Sequence, residues 1–190
     1  MTLLVLDTSG PVCGTAVMDE NRVYSEFTAQ NRNTHSASLM PMAEAALRAA
    51  GRRLAGQLHA GDVVLLRGPL GAGKSELTRG IAEGLGVAET VTSPSFTILN
   101  VYESGRIPLY HFDWYRLESE EELYELGMDE YLGGDGIAAV EWPERCPEAV
   151  PERYLEIRLE PAGEEERRIT LREQGGFSPV FLPEGINTDI

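Results

Sequence analysis

Gly68-Pro69-Leu70-Gly71-Ala72-Gly73-Lys74-Ser75 is the stretch on which the reading of this chain turns. It has the form G-x-x-x-x-G-K-[ST], which average residue usage produces by chance in a chain this long on the order of once in a hundred. Its surroundings suit it. Val63-Val64-Leu65-Leu66 ahead of it is a continuous apolar run, as expected of a strand buried on both faces of a parallel sheet. Behind it, Leu77, Ile81 and Leu85 recur every fourth residue, which predicts a helix stopping at Gly84 and Gly86. A glycine-rich turn between strand and helix lets backbone N–H groups close around phosphate oxygens, and the helix N-terminus adds a partial positive charge. Gly68, Leu70, Gly71, Ala72, Gly73, Lys74, Ser75 and Glu76 are the expected cradle. In it Lys74 reaches the terminal phosphates and Ser75 offers a hydroxyl to Mg2+.

Such a loop needs an acidic group at the end of a neighbouring strand to hold the metal or position water. Two are available. Asp113 ends the run Ile107 to Phe112, and Glu141 ends Ile137-Ala138-Ala139-Val140. Either could hold Mg2+ and either could act on water, so the division between them stays open. Thr92-Ser93-Pro94-Ser95-Phe96 follows the helix, where the three hydroxyls of Thr92, Ser93 and Ser95 can supply γ-phosphate or Mg2+ contacts or merely build a hydroxyl-rich turn. Arg116 is as well suited to a surface carboxylate as to phosphate.

Elsewhere, Thr97 to Tyr102 and Ile107 to Phe112 read as strands about the turn Glu103-Ser104-Gly105-Arg106. Ser119 with Glu122 signals a capping box, opening an acidic helix through about Tyr131. Tyr154 to Leu159 and Arg168 to Leu171 form a closing hairpin around residues 163–165. Ahead of the phosphate loop, Leu3 to Leu6, Cys13 to Met18 and Arg22 to Thr28 suggest a three-stranded meander, with turns at residues 7–11 and 19–21. A helical stretch follows from about Ser36, interrupted at Pro41 and Gly51. Beyond Gly175 no period emerges.

The chain has 190 residues, with 16 Lys+Arg against 31 Asp+Glu, a net charge of −15. An acidic surface repels a nucleic-acid backbone, so any RNA in its biology is expected to be held by a partner. Cys13 and Cys146 lack metal-ligand spacing and read as core or unlinked thiols. Without a basic leader or a membrane-length apolar run, a cytoplasmic location is expected.

Four motifs in order, Gly68 to Ser75, Thr92 to Phe96, His111-Phe112-Asp113-Trp114-Tyr115-Arg116-Leu117 and Glu141-Trp142, resemble the TsaE family over about residues 52–174. That family is the bacterial ATPase of tRNA threonylcarbamoyladenosine biosynthesis. The resemblance implies an α/β P-loop NTPase-type sheet flanked by helices, ATP or ADP with Mg2+ as cofactors, and TsaD and TsaB as partners. The target is adenosine 37 of tRNA, touched only through those partners and without a membrane. It further implies phosphate and metal binding by Lys74 and Ser75, hydrolysis dependent on Asp113, a metal-side Glu141, and Trp142 flanking the nucleotide. Ser75 and Ser95 stand where the family usually has Thr; both keep the hydroxyl.

Residues 1–48 resemble the opening of TsaB, the actin-like scaffold of the same pathway. Leu4-Val5-Leu6-Asp7-Thr8-Ser9, Asn31 to Ser36 and Leu39 to Met42 carry that similarity. The expected organisation is therefore a TsaB-like fragment (1–48), a TsaE-like ATPase domain (49–175) and a tail (176–190). Asp7 as a catalytic group is disfavoured, because most of an actin-like site is missing; His35 suits a helix start. Three strands alone would expose edges and an apolar face. The fragment is thus expected to pack on the ATPase module or to self-associate with another copy. A nucleotide-responsive docking module and, more remotely, a small-molecule kinase are the competing readings.

Overall fold

The computed structural model describes residues 2–7, 13–18, 23–29, 35–119, 121–125, 127–161, 166–180 and 187–189. The turns read at 8–11, 19–21 and 163–165, the stretch 31–34, and tail residues 181–186 and 190 lie outside them.

The sheet grows from β4 (Val63–Arg67), whose apolar run pairs in parallel with β7 (Ile137–Glu141) on one side and β8 (Tyr154–Pro161) on the other. Next to β7 lies β6 (Leu109–Asp113), also parallel, and β5 (Leu99–Tyr102) closes that edge as an antiparallel hairpin. Beyond β8 runs antiparallel β9 (Glu166–Gln174). The full order is β10-β3-β2-β1-β9-β8-β4-β7-β6-β5. Alternation along the central strands splits the core in two. Val64, Leu66, Leu109, Ile137 and Ala139 pack under α1 (His35–Ala55) and α2 (Lys74–Leu85), with His111 and Asp113 on the same side of β6 by period. Val63, Leu65, Tyr110, Phe112, Ala138 and Val140 face the other side, around Trp114, Leu123 and Met128.

The N-terminal meander, β1 (Thr2–Asp7), β2 (Cys13–Met18) and β3 (Val23–Ala29), extends the same sheet through β1 against β9, Thr2 opposite Ile169. The segment thereby covers the β9 edge. Short β10 (Asn187–Asp189) pairs with β3, and Phe177 and Val180 are buried, so the tail has structure where no period predicted it.

Several expectations need correction. The interruptions at Pro41 and Gly51 do not occur; α1 is one 21-residue helix. The bond lost at Pro41 is outweighed by the buried stripe Met42, Ala43, Ala46, Leu47, Ala50 and Leu54. Gly51 marks a helix crossing: a Cβ there would fall 2.3 Å from Leu77 O, and one at Gly80 2.2 Å from Arg48 O. The 48/49 boundary thus lies inside a helix that packs on both α2 and the meander. Helix α2 runs through Gly84 and ends at Gly86, φ 79°. The acidic helix is short, α3 (Glu121–Glu125), because Gly127 turns left-handed before a 3₁₀ turn at Met128–Glu130. The strand ahead of Asp113 starts at Leu109 rather than Ile107, and Asp113 ends it as expected.

Among the described residues no helix is long and apolar enough to cross a membrane. Cys146 is buried, with Sγ 3.9 Å from Ser119 O; the side chain of Cys13 is outside the described set.

Candidate nucleotide site

Strands β4, β7 and β6 run side by side in parallel, so their C-terminal ends open on one edge of the sheet, where α/β proteins bind ligands. The phosphate loop leaves β4 there and enters α2 at Gly73, whose φ of 101° is left-handed. A side chain at 73 would be strained by that backbone, and its Cβ would lie 2.3 Å from Leu47 Cδ1. No side chain caps α2 at Gly73, which leaves the amides of its first turn open to an anion.

Lys74 is buried, 4% exposed. Its Nζ donates to Gly68 O at 2.7 Å and Pro69 O at 3.0 Å, and lies 3.8 Å from the centre of the Trp142 ring. Burial lowers its pKa below the usual lysine value, while Glu141, Glu144 and Asp113 pull the other way. Trp142 holds a left-handed backbone, φ 60° and ψ 46°, uncommon for a bulky residue. That conformation follows directly on β7 and places the indole against Lys74, with the Tyr115 ring tilted against it at a centroid distance of 4.9 Å.

Ser75 Oγ donates to Glu141 Oε1 at 2.8 Å. Asp113, on the neighbouring strand opposite Glu141, accepts from Ser95 Oγ at 2.7 Å and Ser93 Oγ at 3.3 Å through Oδ2, and from the Tyr115 N–H through Oδ1. One cleft of about 360 Å³ is lined by Leu70 to Glu76, Ser93, Ser95, Asp113, Glu141 and Trp142. Among the described residues no three His, Cys, Asp or Glu side chains gather as a metal cluster. A hydroxyl and one or two carboxylates are nevertheless what Mg2+ takes from protein when phosphate and water complete its shell.

Two expected contacts are placed differently. Gly68 does not line the cleft but accepts from Lys74 through its carbonyl. Thr92 lies outside the lining, its N–H donating to Tyr102 Oη at 3.1 Å, because Pro94 turns the segment and presents Ser93 instead. Arg116 lies over the Phe96 ring at 4.4 Å and pairs with no carboxylate among the described residues. Glu76 reaches the cleft while bound by Arg48 at 2.7 Å and by Arg79.

Sequence reading missed Ala43, Glu44 and Leu47, the wall that α1 contributes, for which no local signal exists. It also gave no role to Tyr115 or His111. The last was findable, since strand period puts residue 111 on the face of Asp113.

The family model for Threonylcarbamoyl adenosine biosynthesis protein TsaE matches residues 42–169. The chain is 46% identical over 124 residues to the tRNA threonylcarbamoyladenosine biosynthesis protein TsaE of Bacillus subtilis, covering 65% of this chain and 77% of that one. It is 44% identical over 136 residues to the protein of that name from Streptomyces coelicolor, covering 68% and 91%. The crystal structure of Bacillus subtilis YdiB superposes with a TM-score of 0.61 at 40% identity, over 70% of this chain and 81% of that one. The match begins within α1 and ends in β9, so it spans the phosphate loop and both strand-end carboxylates. By that match, the chain belongs to the TsaE family.

Proposed function

We propose that the chain binds ATP with Mg2+ and hydrolyses it in support of threonylcarbamoyladenosine modification of tRNA at adenosine 37, acting with TsaB and TsaD. The observation carrying this reading is the gathering of the phosphate loop and two strand-end carboxylates in one cleft, with Ser75 of the loop bonded to Glu141 and Ser95 of the segment after α2 bonded to Asp113. The open amides of α2 and the Lys74 ammonium are the groups to hold the phosphates. Ser75 and Glu141 are the residues to hold Mg2+, which when bound offsets charge on the phosphate oxygens. Asp113, tethered by two serine hydroxyls, is the group to orient or deprotonate the attacking water. Trp142 covers the lysine side of the cleft.

Residues 1–48 are read as a TsaB-like fragment fused to the ATPase module of 49–175, with 176–190 as a tail. The net charge of −15 supports a division of labour in which partners hold the tRNA.

A second reading, a docking module for which hydrolysis is incidental, is favoured by two exposed apolar side chains beside the cleft. Leu70 is 83% and Phe96 84% exposed. Repeated rounds of tRNA modification by TsaB and TsaD with the wild type or Asp113→Ala decide between the two. The hydrolytic reading expects a single round with the variant; sustained rounds would establish docking alone.

A further inference from the structure

Glu141 accepts a second hydrogen bond whose donor lies deeper in the sheet. His111 Nε2 is 2.9 Å from Glu141 Oε1, the same oxygen that receives the Ser75 hydroxyl. The imidazole is fully buried and Nδ1 has no hydrogen-bond partner among the described residues. That asymmetry indicates the Nε2–H tautomer. Nε2 then donates to the carboxylate, and Nδ1 is left an acceptor rather than a stranded buried donor, the costlier orphan in a site this dry. The backbone explains how the ring fits. His111 sits opposite Ala139 in the β6–β7 ladder, a residue small enough to leave room beside it, and two residues before Asp113 on the same face.

We propose that His111 is a positioning residue for the metal-side carboxylate. By engaging Oε1 from below it fixes the rotamer of Glu141, and with it the direction of the Ser75 hydroxyl. Glu141 Oε2 accepts nothing from the described residues. A carboxylate held through one oxygen presents the other in a constant direction, which is how buried partners commonly tune metal ligands. His111 touches neither nucleotide nor metal in this account; it acts only through Glu141. The inference rests on the ATP-and-magnesium reading above.

The test is the Mg2+ dependence of ATP affinity, measured by calorimetry across a magnesium titration and again in chelator, for wild type, His111→Leu and His111→Gln. The glutamine amide can replace Nε2–H; the leucine cannot. His111→Leu is expected to need about ten-fold more Mg2+ for half-maximal binding, with affinity in chelator unchanged and His111→Gln close to wild type. Wild-type Mg2+ dependence in a folded His111→Leu would overturn the proposal, as would a glutamine variant no better than leucine. Should His111→Leu fail to fold, His111→Asn replaces it. Its amide is too short to reach Glu141, so a result equal to that of His111→Gln overturns the proposal and a weaker one supports it. Wild-type binding that ignores Mg2+ would instead remove the underlying reading.

Discussion

Ser95 Oγ donates to Asp113 Oδ2 at 2.7 Å, joining the segment after the phosphate-loop helix to the end of β6. The bond fixes a carboxylate that also accepts from Ser93 and the Tyr115 N–H, so Asp113 has little freedom to turn away from the cleft. Ser95→Ala is expected to lower ATP turnover about ten-fold with little change in nucleotide affinity, since one charge-assisted hydrogen bond is lost at the group proposed to act on water. Steady-state kinetics beside a binding titration would check it.

Lys74 is a buried cation whose pKa is lowered by desolvation, so its charge opposes folding of the empty protein. Lys74→Met is expected to abolish ATP binding and to raise the melting temperature near neutral pH, at about 2–4 °C per kcal/mol for a chain this size. The sign fixes the pH dependence. Between the lowered folded pKa and the ordinary value of 10.5 the unfolded state binds more protons. Wild-type stability therefore gains on the variant as pH rises through that window. Thermal melts of both proteins across alkaline pH would show the gap closing.

How far the sequence was legible follows from the range of each signal. Strand β4, the phosphate loop and α2 are local patterns, and Asp113 and Glu141 follow apolar runs, so their placement at neighbouring strand ends could be read without coordinates. The unbroken α1 could not. Pro41 and Gly51 argue for breaks, and what overrides them is the crossing with α2, where Gly51 and Gly80 admit the other helix's backbone. Thr92 and Ser93 are alike as residue types, and only the turn at Pro94 decides which one faces the cleft. The pairing of β1 with β9 joins residues more than 160 positions apart, beyond any periodic pattern.

That helix crossing gives a stability prediction. Gly80→Ala places a Cβ 2.2 Å from Arg48 O, backbone that cannot swing aside. Overpacking of this kind is expected to cost about 1–3 kcal/mol. Urea denaturation would show the midpoint falling, and ATP affinity should weaken as α2 shifts at its N-terminus.

Tyr110 Oη donates to Asp135 Oδ1 at 2.5 Å, and that bond together with burial raises the phenol to about 12. The stability it contributes is complete below the ordinary value of 10 and is lost as pH climbs toward 12. Ultraviolet titration should find Tyr110 ionising late, and earlier in Asp135→Asn.

Removing residues 1–30 would strip β1 from β9 and leave a long antiparallel edge open. The truncated chain is expected to melt lower and to self-associate, seen by light scattering; a stable monomer would show the meander to be dispensable.

The central claim is that this cleft hydrolyses ATP through Asp113. Phosphate release from Mg2+-ATP in the presence of TsaB and TsaD, compared between wild type and Asp113→Ala at saturating nucleotide, tests it most directly. The account predicts that the variant binds ATP normally and turns it over about 10²–10⁴-fold more slowly. Turnover by Asp113→Ala at the wild-type rate would contradict it.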